Sequence, residues 1–261
     1  MGDRRYAIRD TLALLAVLLL ATAIRIPSLW EPIGSDQAIG AVIGEALRRG
    51  WVLYRDVWDQ HTPPAYYIHA LAQMLFGRTT RTVYLLDLLW TLANGLALYG
   101  LARRWQGRAT ALLGTGLYFL LSNSAAFNRD TIGTWTMRAK VEGFMTLPLA
   151  IGFYAALRAM EAMAITIEGN ERRPWLWWGL AGLALGLAAT LKPVAVLFLV
   201  AVWPLLLVSA SPPLLVSSSL WLGGGFLLAQ LLYLIPIMAQ GTCLLYTSDA
   251  ADEGLGVDLG G

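Results

Sequence analysis

Long apolar runs separated by short polar breaks set the pattern of this chain. Seven of them are read as membrane spans against a requirement of roughly 20 residues: Thr11–Leu29, Thr82–Ala102, Ala109–Phe127, Gly143–Leu157, Trp175–Leu191, Val194–Val208 and Leu214–Met238. A further run, Tyr66–Phe76, is too short to cross comfortably and reads as a juxtamembrane or re-entrant helix. Ile39–Leu47 is amphipathic and ends in Arg48-Arg49-Gly50, which predicts a short interfacial helix with Asp36 at its cap position. Pro63-Pro64 predicts extended backbone just ahead of the Tyr66 helix, because a residue before proline avoids the α region. The expected fold class is an all-α membrane protein of about seven transmembrane helices, with short juxtamembrane helices in the first outward loop.

Arginines orient these spans. Arg4, Arg5 and Arg9 precede the first; Arg103, Arg104 and Arg108 follow the second; Arg158, Arg172 and Arg173 precede Trp175. Alternate connections are therefore basic, as cytoplasmic ones are. A crossing by Tyr66–Phe76 would move Arg103, Arg104 and Arg108 to the wrong side. The N-terminus is thus expected in the cytoplasm and the loop over residues 31–81 outside it, which in a bacterium means the periplasm or cell exterior. The first run reads as a retained anchor, since Arg25-Ile26-Pro27 does not match a small-x-small cleavage site. Most tryptophans stand near span ends, as interfacial anchors do, whereas Trp58 sits inside a polar motif.

Composition agrees with this class. The 261 residues are 57% hydrophobic and 14% charged, where a soluble domain carries about 25% charged residues. A net charge of +2 with no basic stripe speaks against nucleic acid as a partner and leaves membrane lipids. The single cysteine, Cys243, supplies neither a disulfide framework nor a cysteine metal cluster. Beyond Gln240 the composition breaks: residues 241–261 hold four acids and no base, and Leu244–Glu253 reads as translated adapter sequence. The expectation is a transmembrane domain over residues 1–240, truncated, with a non-native tail at 241–261.

Candidate chemistry gathers in the first outward loop. Asp36 opens it, and Asp56-Val-Trp58-Asp59-Gln-His61-Thr-Pro63-Pro64-Ala-Tyr66-Tyr67 follows. Ionisable groups there face headgroups rather than hydrocarbon, which suits chemistry on a lipid-borne phosphate. The proline pair stiffens the turn that presents Asp56, Trp58, Asp59 and His61. His61 has the chemistry to bind phosphate when protonated, to carry a proton or to hold a metal, although His69 is the only other histidine. Arg129, Arg138 and Lys140 form a third outward element suited to gripping a phosphate or diphosphate. Lys192-Pro193 interrupts two apolar runs, and Asp87 lies inside the second span; an ionisable residue in such a place is a functional candidate. For Asp87 the structural alternative is a helix-to-helix hydrogen bond.

Taken together these residues resemble the polytopic glycosyltransferases that use lipid-phosphate sugars. That group includes the dolichyl-phosphate-mannose protein mannosyltransferases and the bacterial aminoarabinose transferase of lipid A. The resemblance runs over about residues 1–240 and rests on Arg25-x-Pro27, the acidic position at Asp36, Gly50-x-x-x-Tyr54-x-Asp56-x-Trp58-Asp59, His61-Thr-Pro63-Pro64-Ala-Tyr66-Tyr67, Leu75-Phe76-Gly77, Arg81, Glu142-Gly-Phe144 and Gly182 through Lys192. Two departures stand out: Gln37 replaces the second acid of an Asp-Glu pair, and His61-Thr62 stands where a lysine commonly precedes the prolines. The resemblance implies a GT-C fold and inverting transfer of a sugar from a polyprenyl-phosphate donor to a protein, glycan or glycolipid acceptor. It makes Asp36 the catalytic base and His61, Arg129, Arg138 and Lys192 the donor-phosphate residues. Asp56, Trp58, Asp59 and Tyr66 then support the loop. No cofactor is specified, and a divalent metal is left open. The rival readings are a transporter or flippase of a lipid-linked substrate, which calls for an inverted repeat and broken mid-membrane helices, and a non-catalytic envelope scaffold.

Overall fold

Backbone in hydrocarbon must satisfy its own hydrogen bonds, and the apolar runs accordingly fold as helix. The computed structural model describes residues 2–30, 32–123, 139–167, 173–209 and 212–239. Helix α1 spans Gly2–Arg25 and ends in a 3-10 turn at Ile26–Trp30. Two short helices follow, α2 at Ser35–Arg48 and α3 at Pro63–Phe76. The longer helices α4 (Thr80–Trp105), α5 (Gly107–Asn123), α6 (Val141–Ile167) and α7 (Pro174–Leu191) come next. A 3-10 turn at Pro193–Ala195 leads into α8 (Val196–Ser209), and α9 covers Pro212–Ala239. Among the described residues the one β feature is an isolated bridge between Leu53 and Val57.

Among the described residues five stretches are long and apolar enough to cross a membrane: Ile8–Trp30, Thr80–Trp105, Val141–Ala164, Pro174–Leu191 and Pro213–Ala239. The all-α membrane class is therefore observed. The other two expected spans fall on α5, with 17 residues, and α8, with 14. Two local expectations are corrected. The Pro63-Pro64 pair does not precede α3 but begins it, with Thr62 as the extended residue; proline suits a helix's first positions because its missing N–H has no intrahelical partner there. Helix α6 also runs past Leu157 to Ile167, and on that extension Glu161 meets Arg104 and Arg158 lies over Trp177. The 241–261 tail lies outside the described residues.

Helix α7 forms the centre of the C-terminal half, packed against α6 and α9. Trp178, Leu185, Met163, Leu206 and Leu222 are fully enclosed there, and the Trp178 indole N–H donates to Met163 Sδ at 3.1 Å. Small residues let α7 and α9 touch backbone to backbone. A Cβ on Gly182 would run into the Leu222 carbonyl, and one on Gly225 into the Gly179 carbonyl. Leu113, Leu220 and Leu232 point outward, as lipid-facing side chains do.

Apart from the buried Arg25–Asp87 pair, the charged groups paired in the described residues gather toward the two ends of this bundle. At one end Arg103 reaches Asp10 at 3.3 Å, Arg104 pairs with Glu161 at 2.6 Å, and Arg158 lies 5.1 Å over Trp177. Among the described residues, Arg103, Arg104, Arg108 and Arg158 thus share one end. At the other end α2 packs on α3 through two glycines. A Cβ on Gly40 would sit 2.6 Å from His69 Nε2, and one on Gly44 2.8 Å from the Ala70 amide.

Gly182→Val should force α7 from α9, an overpacking cost of at least about 1–3 kcal/mol. A thermal-shift assay in detergent is expected to show the midpoint falling by several degrees. An unchanged midpoint would contradict this helix contact.

Candidate active site

Helix α2 begins where Gly34, in extended conformation, acts as N-cap, so Asp36 falls in the first turn. No side-chain capping bond forms there, which corrects the cap role expected of Asp36. Its carboxylate is instead available for other partners, in a position favoured by the helix dipole. It is half exposed and receives Lys140 Nζ at 2.6 Å.

Lys140 is aimed by its neighbour. Ala139 adopts left-handed backbone, φ 51°, a conformation that a residue with a Cβ holds only when its surroundings impose it. Its amide donates to Asp87 Oδ1 at 2.8 Å. The other Asp87 oxygen forms a close ion pair with Arg25 Nη1, whose side chain is 4% exposed. Arg25 Nη2 also donates to the Ser122 carbonyl at 2.9 Å. On its other side Ala139 hydrogen-bonds His69, which is buried under Gly40. Burial pulls the His69 imidazole down to about 4, against the smaller opposing effect of that bond. The ring is therefore neutral at ordinary pH.

The loop before α3 supplies the next wall. Tyr54, with φ 68°, donates its hydroxyl to the His61 carbonyl at 2.7 Å. Asp59 Oδ2 accepts a short bond from the Tyr66 hydroxyl and lies 3.0 Å from His61 Nδ1. Burial pushes the Asp59 carboxyl upward, but the bonds from Tyr66 and His61 outweigh it and hold the group below its ordinary value. The Tyr66 phenol is driven well above its ordinary value by burial and by Asp59. Thr62 Oγ1 then ties the loop to the Leu191 carbonyl at 2.8 Å. The next residue, Lys192, forms a close ion pair with Glu142 in the first turn of α6.

These elements enclose a cavity of about 100 Å³ lined by Asp36, Asp59, His61, Tyr66, His69, Lys140 and Glu142. Lys140 and Glu142 also line a second cavity of about 310 Å³, with Arg25, Asp87, Trp90 and Tyr118. The first holds a half-exposed carboxylate beside an ammonium group, a neutral imidazole and an anchored Asp59–Tyr66 pair. Such a set can take a proton from a hydroxyl and can attract a phosphate.

Of the residues singled out in the sequence, Asp36, His61, Asp59 and Tyr66 line this cavity, and Lys192 reaches its edge through Glu142. Asp56 stands off it. Its carboxylate accepts from Arg55 at 2.7 Å and from the Val52 amide at 2.8 Å, and in that order these bonds bring it down to about 2. Trp58 is 61% exposed and does not line the cavity. Arg129 and Arg138 lie outside the described residues. The sequence marks His69 only as a companion of His61 and Lys140 only as one of a basic group with Arg129 and Arg138. The available signals were a histidine on an apolar helix and the Asp87 carboxylate inside a span. Among the described residues no group of three or more His, Cys, Asp and Glu is placed to hold a metal ion.

A family model described as dolichyl-phosphate-mannose-protein mannosyltransferase matches residues 60–238 of the chain. The match takes in His61, Tyr66, His69, Lys140, Glu142 and Lys192, and begins after Asp36. No curated protein and no solved structure matches the chain.

Two outcomes follow from the geometry. The His69 pKa is lowered on folding, so the unfolded chain takes up this proton first as pH falls. Its contribution is fully present above about 6.5 and is lost toward about 4, on the order of 3 kcal/mol across that window. Melting curves from pH 7 to 4 should fall less steeply for His69→Gln than for the wild type. Asp87→Ala leaves Arg25 buried and unpaired, a loss of about 3–5 kcal/mol. Chemical unfolding in detergent should show it, and near-wild-type stability would refute the clamp.

Proposed function

The chain belongs to the dolichyl-phosphate-mannose-protein mannosyltransferase family, and from that premise we propose that the cavity beside Asp36 transfers a sugar from a polyprenyl-phosphate donor to a hydroxyl acceptor. Membership makes it a glycosyltransferase of the GT-C type, and its apolar helices make it a multi-pass membrane protein. The observation that carries the finer reading is the meeting of Asp36 with Lys140, Asp59, Tyr66 and Glu142 at the bundle end opposite the arginine-rich turns.

In this reading the acceptor hydroxyl oxygen attacks the anomeric carbon on the face away from the phosphate. Its proton passes to Asp36, the anomeric C–O bond breaks, and the electron pair leaves with the polyprenyl phosphate, so the configuration inverts. The leaving group is already a stable phosphate, and the protein's main task is to position and neutralise it. Lys140 and Lys192 supply ammonium groups beside the cavity; Arg129, Arg138 and His61 are assigned to the same task. Asp59 and Tyr66 brace the loop that presents His61, with Asp56 and Trp58 as its outer supports. The family name favours a protein hydroxyl as acceptor, with a glycan or glycolipid as the alternatives. The positive-inside rule would put the site on the extracytoplasmic face.

The test is transfer of label from a radiolabelled polyprenyl-phosphate hexose to a serine- and threonine-containing peptide. Asp36→Asn should lower the rate by about 10²–10⁴-fold while membrane expression stays unchanged. Turnover at the wild-type rate would overturn the assignment of Asp36.

A further inference from the structure

The far end of α2 carries an arrangement that the transfer chemistry does not use. Glu45, its side chain 15% exposed, is surrounded by three guanidinium groups. Arg48 Nη1 lies 3.0 Å from Oε2, while Arg49 Nε and Arg78 Nη1 lie 2.9 Å and 3.3 Å from Oε1. Arg48 ends the helix that carries Glu45 and Arg49 is its C-cap residue, but Arg78 arrives from the connection between α3 and α4. Helix spacing therefore accounts for the contacts of Arg48 and Arg49 but not for that of Arg78. Burial pushes the Glu45 carboxyl upward, yet the bond from Arg49 and the charges of Arg78 and Arg48 together hold it below its ordinary value. One ionised carboxylate against three guanidinium groups leaves an excess of positive charge. Glu45 occupies one edge of each fork and leaves the remaining N–H donors of Arg49 and Arg78 for a ligand.

A cavity of about 340 Å³ opens directly beside these groups. Arg49, Arg78 and Glu45 contribute its polar part, and Val42, Trp51 and Val83 contribute apolar wall. Gln73, 6% exposed, also lines it; its Nε2 donates to the Ala41 carbonyl at 2.7 Å and its Oε1 has no protein partner. The depth is that of a membrane boundary. The α4 span begins at Thr80, Arg81 lies 5.6 Å over the exposed Trp30, and Met74 and Leu75 point outward. Guanidinium forks match a phosphate's oxygens, and the apolar wall beside them suits the carbon skeleton attached to that phosphate rather than a free anion.

We propose that this cavity binds the phosphodiester of a membrane glycerophospholipid, gripped by Arg49 and Arg78, with the adjoining part of the lipid lying against Val42 and Val83. The experiment is native mass spectrometry of the purified full chain in detergent, with phosphatidylglycerol or the diacylglycerol of the same chains added. The wild type should retain phosphatidylglycerol over diacylglycerol. Arg49→Gln/Arg78→Gln should cut retention at least about tenfold, as loss of charge-assisted bonds requires. Arg55→Gln removes a guanidinium outside the cavity and should change nothing. Equal retention by the double variant, or equal loss in Arg55→Gln, would overturn the site. Displacement by inorganic phosphate at the lipid's own concentration would overturn the lipid assignment and leave an anion site only. Both arginines are more than half exposed, and an assay with neither replaced reads the site directly. Brominated-chain phosphatidylglycerol should quench wild-type fluorescence more than that of Trp51→Phe, and equal quenching would count against the proposal.

Discussion

Arg25 and Asp87 form the contact on which the functional end of the molecule depends. A guanidinium 4% exposed cannot remain unpaired among apolar helices, because removing a charge from water costs several kcal/mol unless a partner and further hydrogen bonds offset it. The pair therefore fixes α1 to α4, and the second Arg25 nitrogen adds the end of α5 through Ser122. Asp87 has one oxygen left over, and it takes the Ala139 amide. A single buried ion pair thus joins three helices and the turn leading into α6.

What that turn does next is a matter of backbone geometry. Ala139 is held in a left-handed conformation from both sides, by Asp87 and by His69. His69 in turn lies where only a glycine at position 40 leaves room for it. Lys140 consequently meets Asp36 across the gap between α6 and α2. The two groups with the clearest charge complementarity in the cavity are brought together by residues that carry out no chemistry. The C-terminal half contributes differently: α6, α7 and α9 pack through alanines and glycines into a dense apolar block. The break after Leu191 then delivers Lys192 to Glu142 and offers a carbonyl to Thr62.

Five of the seven expected spans were legible because hydropathy is local and additive along the chain, while the other two fall on helices of 17 and 14 residues. The grouping of arginines likewise anticipated the end where Arg103, Arg104, Asp10 and Glu161 meet. Local rules failed where two of them competed. Pro63-Pro64 restricts the residue before it and also suits the first turn of a helix, and the structure shows both effects, with Thr62 extended and the prolines helical. Asp36 was placed at a cap by residue type, but Gly34 holds that position and frees the carboxylate for Lys140.

By itself, then, the sequence determined that this is a helical membrane protein, which loop collects the polar groups, and a family resemblance that the match over residues 60–238 bears out. Tertiary structure alone decided the pairs that join distant elements. Arg25 and Asp87 stand 62 positions apart, and Glu142 and Lys192 stand 50 apart. No periodicity reaches across such distances. The energy of a charge pair depends on separation and burial in space, and these are set only once the helices have packed.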